Sequence, residues 1–305
     1  MHKLLTLAFL FCITGKLYAQ INPADSTLQV VGYWQNKEKQ SFSVSHEKYK
    51  ITGTDTTSRE LITYQVEVTI KDSTAKGYTI EWFYRNYAIE SENALVKKMI
   101  PLFQDIAVLI QTNEYGAITG VSNWQEVRDY MQKMATHLES ELAAIPHAKG
   151  MMTQLMAMYQ SKEAIEANAI KDAQQFYTFH GAKYSLGKEL KAKMQLRNNY
   201  GGKPFDTDVT VSLDEINEQE GYGIIRMYQQ VNPQQLTDAT YAFLKQVSPA
   251  KNTFPARNAF PQVSNEIWTA SQIHAGSGWI IYSVETKQVK AENVTNIEER
   301  VIQLN

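Results

Sequence analysis

"LITYQVEVTI", residues 61–70, decides the fold class. Ile62, Tyr64, Val66, Val68 and Ile70 occupy every second position, so a strand here sets all five on one face. Polar residues fill the places between them, which predicts one buried face and one wetter face. The same alternation runs outward on both sides. In "SFSVSHEKYKI" (41–51) it holds at Phe42 and Val44 and resumes at Tyr49 and Ile51, and the change of phase near His46 predicts a bulge or bend. In "GYTIEWFYRNY" (77–87) it places Tyr78, Ile80, Trp82 and Tyr84 on one side, after the turn-forming "KDSTAKG" (71–77). The three stretches together read as an antiparallel meander.

Downstream, "SENALVKKMIPLFQD" (91–105) predicts a short helix capped by Ser91 or Asn93 and interrupted at Pro101. "IAVLIQTNEYGAITGV" (106–121) predicts a hairpin turning at Asn113–Gly116. Its nearly all-apolar first arm is expected in the middle of the sheet. A helical section, 123–181, follows in three pieces. The first carries Val127, Met131, Met134, Leu138 and Leu142 at helical spacing and stops at Pro146. The second is "MMTQLMAMYQ" (151–160). The third starts at Ser161 as N-cap and ends at Gly181. Strands return over 189–231. A helix capped by Asn232 with Pro233 in its first turn follows, and the last strands lie over 266–304. Strands and helices come in blocks without regular alternation. The expected class is therefore α+β: one large curved antiparallel sheet with helices packed on one face, all within 20–305.

The N-terminus predicts the compartment. "MHKLLTLAFLFCITGKLYAQ" has a short basic start, an apolar run too short to span a bilayer, and a small residue at Ala19. It reads as a signal peptide over 1–19, with a periplasmic or extracellular mature chain and no transmembrane span. Cys12 is the only cysteine and falls inside that leader. The mature chain then has no thiol for catalysis, zinc–thiolate or iron–sulfur chemistry, and no disulfide. Losing Lys3 and Lys16 with the leader leaves 28 basic against 32 acidic residues, without a basic stripe, so no nucleic acid partner is expected.

The signal ending in "AQ", the N-terminal strands, the hairpin running into "NW" and a helix, and the late "GSGWI" strand together resemble uncharacterised exported bacterial proteins of unknown function. The layout also resembles the lipoprotein-carrier superfamily, whose curved sheet and lid helices enclose an apolar cavity. The resemblance covers layout over most of the mature chain and carries over no functional residue. It implies that fold and an apolar class of ligand.

No motif names a reaction. The six histidines lack the spacing of a zinc protease, Gly-x-Ser-x-Gly is absent, and "NNYGG" (198–202) lacks the Lys-Ser/Thr of a phosphate loop. The acidic run Asp206, Asp208, Asp214, Glu215, Glu218 and Glu220 matches no calcium loop and reads as a solvated loop. No catalytic residue, metal ligand or cofactor is expected. The methionines are the unusual feature: six fall between Met131 and Met158. Their flexible thioethers suit core filling between helices, an adaptable apolar site, or a soft metal. The second odd stretch is "SPAKNTFPARNAFPQV" (248–263), where Phe254 and Phe260 each precede proline. It predicts an extended strap, pinned on the sheet, lying as a mobile flap over a cavity mouth, or serving as a docking strip for a partner. The candidate ligand-binding residues are Met131, Met134, Met151, Met152, Leu155, Met156, Phe254 and Phe260. Two functions follow: a non-enzymatic protein holding a lipid or other apolar ligand between sheet and helices, or a structural or interaction protein of the envelope with a protein partner.

Overall fold

The computed structural model describes residues 20–142, 148–198, 200–248 and 254–305. The expected leader, 1–19 with Cys12, lies outside them. Two short strands, β1 (Ile21–Asn22) and β2 (Thr27–Gln29), come first. The long meander follows as β3 (Lys39–Thr52), β4 (Asp55–Thr74) and β5 (Gly77–Glu90). Then come α1 (Ala94–Met99), β6 (Ile106–Thr112) and β7 (Ile118–Val121). The helical section holds α2 (Trp124–Leu142), α3 (Ala148–Ala157), α4 (Lys162–Asn168) and α5 (Lys171–Tyr177). The second half has β8 (Lys183–Ser185), β9 (Glu189–Leu196), β10 (Phe205–Asn217), β11 (Tyr222–Val231), α6 (Pro233–Val247), β12 (Val263–His274), β13 (Ile280–Ala291) and β14 (Val294–Leu304).

Eleven strands form one antiparallel sheet that is open at both edges, in the order β7-β6-β5-β4-β3-β14-β13-β12-β11-β10-β9. Two meanders therefore meet at a seam. The seam is the pairing of β14 with β3, unbroken from Val294 opposite Thr52 to Leu304 opposite Phe42. β1, β2 and β8 make a separate three-stranded sheet.

The period-two pattern sets the core. Val66, Val68 and Ile70 of β4, with Ile80 and Trp82 of β5, are fully buried beside Phe42. Each such side chain contributes roughly 1.5–3 kcal/mol on burial. From the helical section, Val127, Met131, Ile165, Ala173 and Phe176 complete the same cluster. The helix caps act as their residue types require. Asn93 accepts from the amides of Leu95 and Val96, Ser161 from Ala164, and Asn232 from Gln234 and Gln235.

Three expectations need correction. The bulge expected near His46 lies further along, where β4 has an extra residue opposite Lys50 and Ile51. β6 is not central: it lies next to the edge, with only β7 outside it. Its apolar character fits the helical cover, since α2 packs against it. The third helical piece is two helices, broken at Ala169–Ile170. The strap, described from Phe254 onward, is pinned on α6 as well as on the sheet: the rings of Phe254 and Phe260 each lie 5.4 Å from that of Tyr241, and Phe260 also packs against Phe205, Val231 and Val263 of the sheet strands.

One buried titratable group ties α5 to the sheet. His180 sits against the rings of Trp34, Phe176 and Tyr177, with Nε2 2.8 Å from the Gly278 carbonyl oxygen, to which it donates. Its Nδ1 has no partner among the described residues. Burial pushes its pKa down to about 4. Between about 6.5 and 4, the unfolded chain takes up a proton that the folded chain refuses, so stability falls as pH drops through that window.

Two measurements check these assignments. Trp82→Ala is expected to lower unfolding free energy in urea by about 3–5 kcal/mol, whereas Met194→Ala on the exposed β9 stays within about 0.5 kcal/mol. Urea unfolding followed from pH 7 to pH 4 should lose about 3 kcal/mol to His180 alone, and His180→Phe should flatten that part of the slope.

Candidate ligand cavity

A cavity of about 510 Å³ lies between the first meander and the helices, within the roughly 300–1,000 Å³ of small-molecule sites. Its sheet wall is Ile62 and Tyr64 from β4, Tyr84 and Tyr87 from β5, and Ile106 and Val108 from β6. Opposite stand Val96 and Met99 of α1, Phe103 after it, Val127 of α2, Met158 and Tyr159 after α3, and Ile165 of α4. Tyr84 and Tyr87 are three residues apart and would face opposite ways in a regular strand. A bulge resolves this: β5 places Asn86 and Tyr87 opposite the single residue Tyr64, with Asn86 at φ 57°. The phase shifts by one and both tyrosines reach the same face. Tyr87 then stacks on Tyr64 at 4.5 Å between ring centroids.

Part of the cavity lining is charged. Arg300 of β14 and Asp172 of α5 are nearly sealed from solvent, with Nε 2.8 Å from Oδ1. The Nε–H is not aligned for a hydrogen bond and has no such partner among the described residues. Tyr64 donates its hydroxyl to Asp172 Oδ2 at 2.7 Å, and Arg300 Nη1 stands 3.4 Å from Glu285. Burial opposes the Arg300 charge, yet the negative charges of Asp172 and Glu285 hold its pKa above the ordinary value. Burial pushes Glu285 up. Burial would also raise Glu298, but the hydrogen bond from His46 at 2.7 Å and the charge of Lys48 hold it well below the usual carboxylate range. Lys171 completes this group. Desolvation, and then the charge of Lys287, lowers its pKa. This arrangement offers apolar and aromatic walls carrying phenolic groups, with ionisable groups from β14 and α5 in the same lining, the form of a small-molecule site.

The eight residues expected from the sequence lie elsewhere. Met131 is fully buried among the core side chains, and Met134, Met152, Leu155 and Met156 pack half-buried against that core. The side chain of Met151 lies outside the described set. Phe254 and Phe260 stand with Tyr241 at α6, and Phe260 packs against the small cluster of Phe205, Val231, Leu236 and Val263. None of the seven described side chains lines the cavity; its methionines are Met99 and Met158. Sequence reasoning missed the tyrosines and the Asp172–Arg300 pair. The available signal was polar-tipped Tyr64 and Tyr84 at core-facing positions of adjacent strands.

Removing one member of the buried pair strands the other. Arg300→Met alone is expected to cost about 3–5 kcal/mol in urea unfolding, and the double variant Asp172→Leu/Arg300→Met to recover most of it.

No family model matches the chain, and no curated protein matches it. Among solved structures, an outer membrane channel from Pseudomonas putida F1 aligns over 93% of this chain and 100% of its own, at 9% identity and a TM-score of 0.17, too low to indicate a common fold.

Proposed function

We propose that the protein is an exported, non-enzymatic binder of a lipid-like ligand, held between the sheet and the 123–181 helices as they cover one face of it. The observation that carries this reading is the 510 Å³ cavity, whose walls are mostly aliphatic and aromatic. An apolar chain laid there leaves water for about 0.8 kcal/mol per methylene. The layout resemblance to the lipoprotein carriers points the same way. Met152 and Met156 of α3 pack on the core, away from the ligand.

A second reading has its own observation. Leu190 and Met194 of β9 are exposed, as are Phe243, Leu244 and Val247 of α6. Exposed apolar side chains on these two elements suit an envelope protein partner. Lys191 and Lys193, each ion-paired at 3.1 Å, stand on the same edge strand and discourage strand addition. That places lipid binding ahead.

Native mass spectrometry of residues 20–305, followed by denaturation and organic extraction, tests it. The expected result is an adduct that extracts as a lipid and disappears in Ala169→Trp, which fills the cavity from its lining. A bare chain mass, unchanged after incubation with mixed lipids, rejects the reading.

A further inference from the structure

The charged part of the cavity lining specifies more than an apolar ligand. Its ionisable lining is balanced, with Lys48, Lys171 and Arg300 against Glu60, Asp172 and Glu298. Selection therefore depends on which of these groups already have partners. Every carboxylate does. Asp172 has Arg300 and the Tyr64 hydroxyl, Glu298 has His46, and Glu60 accepts from Ser91 at 3.1 Å. The donors are not all used. Lys171 makes no ion pair within 4 Å among the described residues. Tyr84, Tyr87 and Tyr159 face the same space, and their hydroxyls make no hydrogen bond among the described residues. Their oxygens are also not sealed in protein. Burial and the nearby Asp172 charge raise all three tyrosines above their ordinary value, so they are neutral O–H donors at any physiological pH.

We infer that the ligand is a single-chain amphiphile with an anionic carboxylate or phosphate head, seated against the Lys171 ammonium and the hydroxyls of Tyr84, Tyr87 and Tyr159, its chain running along the aromatic and aliphatic wall. This rests on the cavity being the lipid site. The chemistry follows from unused valence. A charged oxygen accepts several donors at once, and such charge-assisted bonds are roughly twice as strong as neutral ones. A cationic head would meet carboxylates that already have partners. A neutral chain would leave the Lys171 ammonium, on an exposed residue at the edge of the cavity, and the three phenols with water as their only partner, and so gains nothing from them.

Three probes of one chain length separate the possibilities: laurate, dodecyl phosphate and dodecanol, each titrated against the mature protein by displacement of a polarity-sensitive dye. The two anions are expected to bind at least ten-fold tighter than dodecanol. Lys171→Met should remove most of that preference and leave dodecanol unchanged, and Lys171→Arg should restore it. The double variant Tyr84→Phe/Tyr159→Phe should narrow the preference further. Dodecanol binding as tightly as the anions, or Lys171→Met weakening all three alike, overturns the anionic head while leaving the lipid site standing. Failure of all three to displace the dye rejects the lipid site, and the inference with it.

Discussion

The buried pairing of Asp172 with Arg300 is the constraint on which the rest of the structure depends. Arg300 stands in β14, the strand that joins the two meanders, and Asp172 in α5, which crosses that seam. Enclosing both charges costs several kcal/mol per ion, and their attraction offsets that only with good geometry and further hydrogen bonds. Tyr64 supplies one such bond. Gln175, one turn along α5, donates to Ser283 at 3.0 Å, and Ser283 in turn accepts from Ser271 at 2.8 Å. A polar string thus fixes α5 across β12, β13 and β14. Apolar packing would allow the helix to slide; directional bonds fix its register, and with it the position of Lys171 and Asp172 at the cavity.

The strands were legible because their signal is local. Phe42, Val66, Trp82 and their neighbours alternate in the sequence, and the same residues are buried in the fold. Caps at Asn93, Ser161 and Asn232 were legible for the same reason, since a side chain two or three residues from an open amide is enough to define them. The seam was not legible. Nothing in "ERVIQL" (299–304) says that it pairs with residues 42–47, some 250 positions away. The edge position of β6 was hidden too, because an all-apolar strand looks central whether a second strand or a helix covers it.

The site escaped for a related reason. The methionine run is conspicuous in composition, yet composition reports softness and leaves direction open. Met131 fills core, while Met158, seven positions beyond Met151, reaches the cavity. The tyrosine wall depends on a single bulge: without Asn86 in the left-handed region, Tyr84 and Tyr87 would part to opposite faces. A one-residue shift of phase leaves no mark that periodicity can read. Asp172 and Arg300 are far apart in the chain and belong to types usually found on the surface. Their pairing exists only once the seam and α5 are in place.

The cavity has one stiff wall and one lightly held wall. Beside the sheet wall, Trp82 meets Phe176 of α5 at 5.3 Å, Phe176 meets Phe42 at 5.2 Å, and Trp34 meets Trp279 at 5.2 Å, an aromatic core with the buried His180 embedded in it. Facing it, Leu95 is the one buried residue described in α1, and Met152 and Met156 of α3 are half-buried. Local stability follows buried contact, so opening concentrates on the helical side. β7 shows the limit of that freedom, because Glu166 of α4 accepts from the Val121 amide at 2.8 Å and closes the sheet edge there. Thioether chains suit this position, since they repack with little loss when the surface beneath them changes shape. Met152 and Met156 therefore form the deformable backing of the helical wall, while Met99 and Met158 line the cavity itself and Tyr64, Tyr84 and Tyr87 stand on the stiffer sheet wall.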